Sequence, residues 1–149
     1  MGASGWKYVV EYGDDLTAVL RRLHLTVFEA HDFYWPANED GEQTWPTTLN
    51  ELANAEHLAE EGTHSILDIR WVTNADGPDR PFHVRPLTEP ELRRYFGTPT
   101  PTVEQFELLY PDDDHSDLAT TAPRWSGHCA ILHKNGVPEK IAFWGISGD

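Results

Sequence analysis

The chain holds a single cysteine, Cys129, among 149 residues, so no internal disulfide can form. At this length about two thirds of the unfolded surface can be buried, and neither a disulfide nor a metal staple is needed. Cys129 sits between apolar neighbours in a predicted strand and reads as a small buried hydrophobe. A reactive thiolate needs an electropositive, partly exposed setting, and the adjacent His128 points to the opposite face of a strand. No apolar run approaches the ~20 residues of a membrane span. Met1 to Trp6 carries no signal-peptide pattern, so cytoplasmic residence is expected. Lysine and arginine are missing from Leu23 through Ile69. Phosphate binding requires a basic stripe, which argues against nucleic acid as a direct ligand.

Acid is abundant. Twenty-five Asp and Glu against eleven Lys and Arg give a net charge of −14. The base-free stretch holds ten carboxylates, among them Glu39, Asp40, Glu42, Glu56 and Asp68. A second acidic block runs from Glu104 to Asp117, and Arg70, Arg80, Arg85, Arg93 and Arg94 lie between the two. Such a field keeps a protein soluble and speeds its encounter with a basic partner.

Hydrophobic residues make up 39% of the chain, with six Trp and six Phe, which implies a small, aromatic-rich core. Trp6, Tyr8, Val10 and Tyr12 alternate as in a strand. Leu16, Val19, Leu20, Leu23, Val27 and Phe28 recur at helical spacing after Asp14-Asp15, a capping pair. Thr48 and Glu51 suggest a capping box for a helix running to Gly62. Ser65 to Val72 alternates as a second strand, and residues 82–85, flanked by Pro81 and Pro86, as a short edge strand. Thr88 with Glu91 and Thr102 with Gln105 open two further helices, the first closed by Gly97. Residues 112–124 read as a solvated acidic loop. Asn135-Gly136 predicts a type I′ turn. Its flanks, Cys129-Ala130-Ile131-Leu132 and Ile141-Ala142-Phe143-Trp144, are apolar on both faces, so the hairpin belongs in the sheet interior. There are no internal repeats and no linker. One domain over residues 1–149 is expected, of the α+β class: a mostly antiparallel sheet, about four helices and a central C-terminal hairpin.

Motifs that carry chemistry are scarce. The eight histidines show none of the helical spacings used by metal sites. Asp112-Asp113-Asp114-His115 reads as a solvated turn rather than a cation loop, so neither metal nor cofactor is expected. Thr63-His64-Ser65 with Asp68 contains triad residue types, but neighbours on a strand diverge and cannot line up. If the strands at 65–72 and 82–85 pair, Asp68, Arg70, His83 and Arg85 meet on one face near His64. That gives either a site for an anion with a proton-moving histidine or a cross-strand charge ladder. The loop 31–46 carries Phe33, Tyr34, Trp35 and Trp45 beside Glu39, Asp40 and Glu42. Those aromatics either fold back on the core or present an anchor within an acidic rim.

Gly62-Thr63-His64-Ser65-Ile66-Leu67-Asp68, Pro86-Leu87, Phe96-Gly97-Thr98 with Pro101-Thr102, and Phe143 to Asp149 resemble a family of small uncharacterised bacterial proteins. The resemblance spans most of the chain and implies no activity and no residue roles. In character, small, acidic and motif-poor, the sequence is similar to immunity proteins that neutralise secreted toxins. Two readings follow. One is an acidic binding module for a basic protein, such as a toxin. The other is a small enzyme or ligand-binding domain acting on an anionic small molecule through His64, Asp68, Arg70, His83 and Arg85.

Overall fold

A computed structural model describes residues 4–111 and 118–148; the Asp112–His115 run lies outside the described residues. The elements in chain order are β1 (Gly5–Glu11), α1 (Leu16–Glu29), α2 (Leu49–Ala53), β2 (Trp71–Val72), β3 (His83–Pro86), α3 (Glu89–Phe96), α4 (Val103–Leu109), β4 (Ser126–Lys134) and β5 (Val137–Ile146). Short 3₁₀ turns occupy Glu56–Ala59, Ile66–Asp68 and Ala119–Thr121. The fold is α+β.

The strands form one sheet in the order β1-β5-β4-β3-β2. The hairpin is interior, as its two-sided apolar pattern requires: β5 pairs with β1 on one side and β4 on the other. Asn135 and Gly136 both take positive φ in the turn between them. The sheet is mixed: the long β1-β5 and β5-β4 pairings are antiparallel, as expected, and only the short β4-β3 and β3-β2 pairings run parallel. The chain between β3 and β4 carries α3 and α4, a crossover long enough to bring β4 back in the direction of β3. β3 is consequently an inner strand, and the two-residue β2 is the edge.

Alternation sorts the side chains of the hairpin onto two cores. Cys129, Ile141 and Phe143 face α1, whose Val19, Leu20, Leu23 and Val27 bury against them with Trp6 and Val84. Ala130, Leu132, Ala142 and Trp144 face the other way, against Phe96, Phe106, Tyr110 and Leu118. Each fully buried large side chain contributes about 1.5–3 kcal/mol. Four on α1 outweigh the marginal stability of an isolated helix of this length. Burial also pushes the Cys129 thiol up to about 12, which keeps it protonated and inert.

Local signals define most helix ends. Asp15 accepts from the Ala18 amide. Thr88–Glu91 and Thr102–Gln105 are reciprocal capping boxes, and Gly97 closes α3 in the left-handed conformation. Two expectations fail. The helix after Thr48 stops at Ala53, because Ala55 turns extended and a separate 3₁₀ turn follows. Glu51 bonds to Thr47 rather than reaching back to Thr48. Residues 118–122 are also no solvated loop: Leu118 and Ala119 are buried in the second core, and Ala122 is buried as well.

Trp6 requires a slot in the sheet. Gly127 and Gly145, directly paired on β4 and β5, supply it. A Cβ on Gly145 would stand 2.3 Å from the Trp6 ring and 2.5 Å from the Ser126 carbonyl oxygen. Gly145→Ala is expected to cost about 3 kcal/mol, seen as a lower urea midpoint at unchanged slope. Pairing it with Trp6→Phe is expected to recover part of the loss.

Candidate functional site

Asp68 is the most enclosed carboxylate of the base-free stretch, at 7% exposure. Gly62, at φ +74°, turns the chain into Thr63. Asp68 Oδ1 then accepts from the Thr63 amide at 2.6 Å and the Thr63 hydroxyl at 2.9 Å. Oδ2 accepts from the Ser147 hydroxyl at 2.6 Å, joining residues 79 apart in the chain. Ser65 Oγ lies 2.7 Å from Thr63 Oγ1 and accepts from the Leu67 amide at 3.1 Å. Burial pushes the Asp68 carboxyl up, and the bonds from Ser147 and Thr63 offset only part of that. With both oxygens engaged, Asp68 is a clasp between the 62–68 turn and the end of β5.

A second polar group lies on the other face of the sheet. Arg85, 7% exposed, donates through NH1 and NH2 to Glu91 at 2.7 and 2.9 Å and through Nε to Asp79 at 2.8 Å. Asp79 Oδ1 also lies 2.8 Å from His128 Nε2. His128 Nδ1 lies 3.0 Å from Thr121 Oγ1, which accepts the Trp144 indole N–H at 3.1 Å. The fork from Arg85 holds the Glu91 carboxyl at about 2. Burial works to raise Asp79, but the hydrogen bonds from Arg85 and His128 outweigh it and hold the carboxyl low. Burial depresses His128 despite the carboxylate beside it, so the imidazole is neutral at neutral pH.

Thr121, His128 and Asp79 have the spacing of a hydroxyl–imidazole–carboxylate relay. The Thr121 hydroxyl, however, also donates to the Leu118 carbonyl at 2.9 Å, and His128 is 2% exposed. This network ties α3, β3, β4 and β5 together, with Arg85 and His128 enclosed and the Asp79 and Glu91 side chains 26% exposed.

The expected face of Asp68, Arg70, His83 and Arg85 is not assembled. Ser65 caps a 3₁₀ turn over Ile66–Asp68, so the strand alternation never starts there. Asp68 is drawn toward Thr63 and Ser147, whereas Arg85 points across the sheet to Glu91 and His128. His64 takes φ 54° and stacks on Tyr34 at 4.7 Å. His83 packs against Trp71 at 5.0 Å. Arg70 is exposed, with its guanidinium 5.7 Å from the centre of the Phe82 ring.

The aromatic loop is assembled. His31 stacks on Trp45 at 4.2 Å, and Phe33 meets Trp45 edge-on at 5.4 Å. Phe33 also stacks with Phe28 and meets Trp35, while Trp35 abuts His57 at 4.7 Å. Phe33, Tyr34, Trp35 and Trp45 are half-buried, and Glu39, Asp40 and Glu42 of the same loop are exposed. Phe33 reaches the core under α1. The loop therefore both folds back and leaves part of each ring at the surface.

Asp79, Glu91, Thr121 and His128 had no signal in the sequence as a group, since Asp79 and His128 are 49 residues apart. Their protonation gives a clear sign for acid stability. A carboxyl or imidazole held low in the folded state adds stability above its unfolded pKa and loses it as pH falls toward the folded one. His128 thus withdraws stability below pH ~6.5, and Glu91 does so between its ordinary 4.5 and about 2. Glu91→Gln is expected to cost about 3 kcal/mol at pH 7 and to flatten the stability profile between pH 4.5 and 2, read by urea melts across pH. An unchanged slope in that window would remove Glu91 from the account. Compared with family models, curated proteins and solved structures, the chain matches none.

Proposed function

We propose that this protein is an acidic protein-binding module, an inhibitor or immunity-type partner of a basic protein. The reading rests on one observation: the Phe33, Trp35 and Trp45 rings meet edge-on in a half-buried group, on a loop that also carries exposed Glu39, Asp40 and Glu42. Rings already held by neighbours lose little freedom on binding, which favours affinity. Aromatic anchors within a rim that excludes water make hot spots. The carboxylates around them, in a stretch without lysine or arginine, speed the approach of a cationic surface and repel an acidic one. A secreted toxin of basic charge has the chemistry that such a face would neutralise.

The test uses the full chain against basic proteins recovered at low salt. Trp35→Ala is expected to weaken an established complex by about 2 kcal/mol, roughly thirtyfold, mainly through faster dissociation. Neutralising Glu39, Asp40 and Glu42 to their amides is expected to slow association and flatten its salt dependence, with dissociation little changed. An association rate indifferent to both salt and these three charges would overturn the reading.

A further inference from the structure

A cleft of about 730 Å³ opens between the 49–59 segment and the 67–70 stretch, and its lining does not include Glu39, Asp40 or Glu42. Its walls are mostly apolar, including Leu52, Leu58, Leu67 and Ile69, with Phe82 and Trp125 at one side. The volume lies within the range of small-molecule sites. The polar groups around it are unequal. Asp68 contributes to the lining, but its oxygens are taken by Thr63 and Ser147. Thr63 is turned to that same clasp, and His24 lies at the base beside the Ile66 and Ile69 carbonyls. Glu56, exposed on the 3₁₀ turn, is the remaining carboxylate. Arg70 forms no ion pair among the described residues and only overlies the Phe82 ring. Arg21, Arg22, Arg80 and Arg94 likewise show no ion pair among the described residues; Arg70 is the arginine that lines this cleft.

The aromatic wall is built at a conformational cost. Phe82 and Trp125 both have φ 67°, a region that bulky L-residues rarely enter. They are held there together: the Phe82 amide donates to the Trp125 carbonyl at 2.6 Å, and their rings stand 5.6 Å apart. Trp125 is further wedged by glycine, since a Cβ on Gly148 would lie 1.9 Å from its indole. Strain of this kind persists where the surroundings over-determine it, and it gathers at ligand clamps. Here it fixes two rings beside an unpaired cation.

We infer that this cleft is a binding site for a small aromatic carboxylic acid, the ring lying against Phe82 and Trp125 and the carboxylate meeting Arg70. A planar guanidinium presents two N–H groups in the geometry of a carboxylate, and the apolar walls accept a flat ring. This site does not depend on the partner-binding reading, which uses other residues.

The test titrates the full chain with trans-cinnamate and, as the neutral counterpart, cinnamamide, followed by amide NMR shifts and by melting temperature. Cinnamate is expected to raise the melting temperature and to shift the amides of Leu52, Phe82 and Trp125, binding at least tenfold tighter than the amide. Arg70→Met, at an exposed position, is expected to erase that preference. Ala59→Phe is expected to weaken both ligands by filling the cleft. The inference fails if cinnamate at several millimolar leaves those amides unmoved. It fails equally if acid and amide bind alike, or if Arg70→Met changes nothing. None of these results bears on the Trp35 and Glu39 face.

Discussion

The buried carboxylate of Asp68 is the constraint around which the candidate sites are arranged. Enclosing a charge costs several kcal/mol unless hydrogen bonds replace the lost water. Asp68 obtains them from the Thr63 amide, the Thr63 hydroxyl and the Ser147 hydroxyl. Satisfying that one group fixes the turn after Gly62, the 3₁₀ geometry of Ile66–Asp68 and the end of β5. The same turn forms one side of the cleft and places Tyr34 against His64 and the Thr63 carbonyl. Aromatic loop and cleft thus share one anchor.

The polar network on the opposite face follows the same rule by other means. Arg85 is enclosed but answered by two carboxylates, and Asp79 is in turn answered by His128. Buried charges that are fully paired hold neighbouring elements in register without adding an accessible site. That distinction separates the two faces functionally. On the network side Arg85 and His128 are enclosed and each Arg85 nitrogen has an acceptor. On the cleft side Arg70 is exposed and has no carboxylate partner among the described residues, and Phe82 and Trp125 are held in a strained backbone. The aromatic loop adds a third environment, where rings are held by one another and, through Phe33, by the first core.

Much of this fold was legible from local chemistry. The helical spacing from Leu16 to Phe28, the capping residues Thr88 and Thr102, and the Asn135-Gly136 turn act over a few residues. The two-sided apolar character of β4 and β5 placed the hairpin inside the sheet. The segment from Ser65 to Val72 misled because Ile66, Asp68, Arg70 and Val72 alternate with Leu67, Ile69 and Trp71 as a strand would. Ser65, a cap for the 3₁₀ turn, carried the contrary signal. Grouping Asp68, Arg70, His83 and Arg85 depended on that strand and fell with it.

By itself the sequence determined element types where the cause is short-range, the lack of an internal disulfide in a chain with one cysteine, and the strong acid excess. Only tertiary structure decided where buried polar groups find partners. Asp68 could not be assigned to Ser147, nor His128 to Asp79, from residues so far apart in the chain, because a buried charge takes whichever donor the fold brings within about 3 Å. Those pairings closed the network around Arg85 and joined the 62–68 turn beside the cleft to the end of β5.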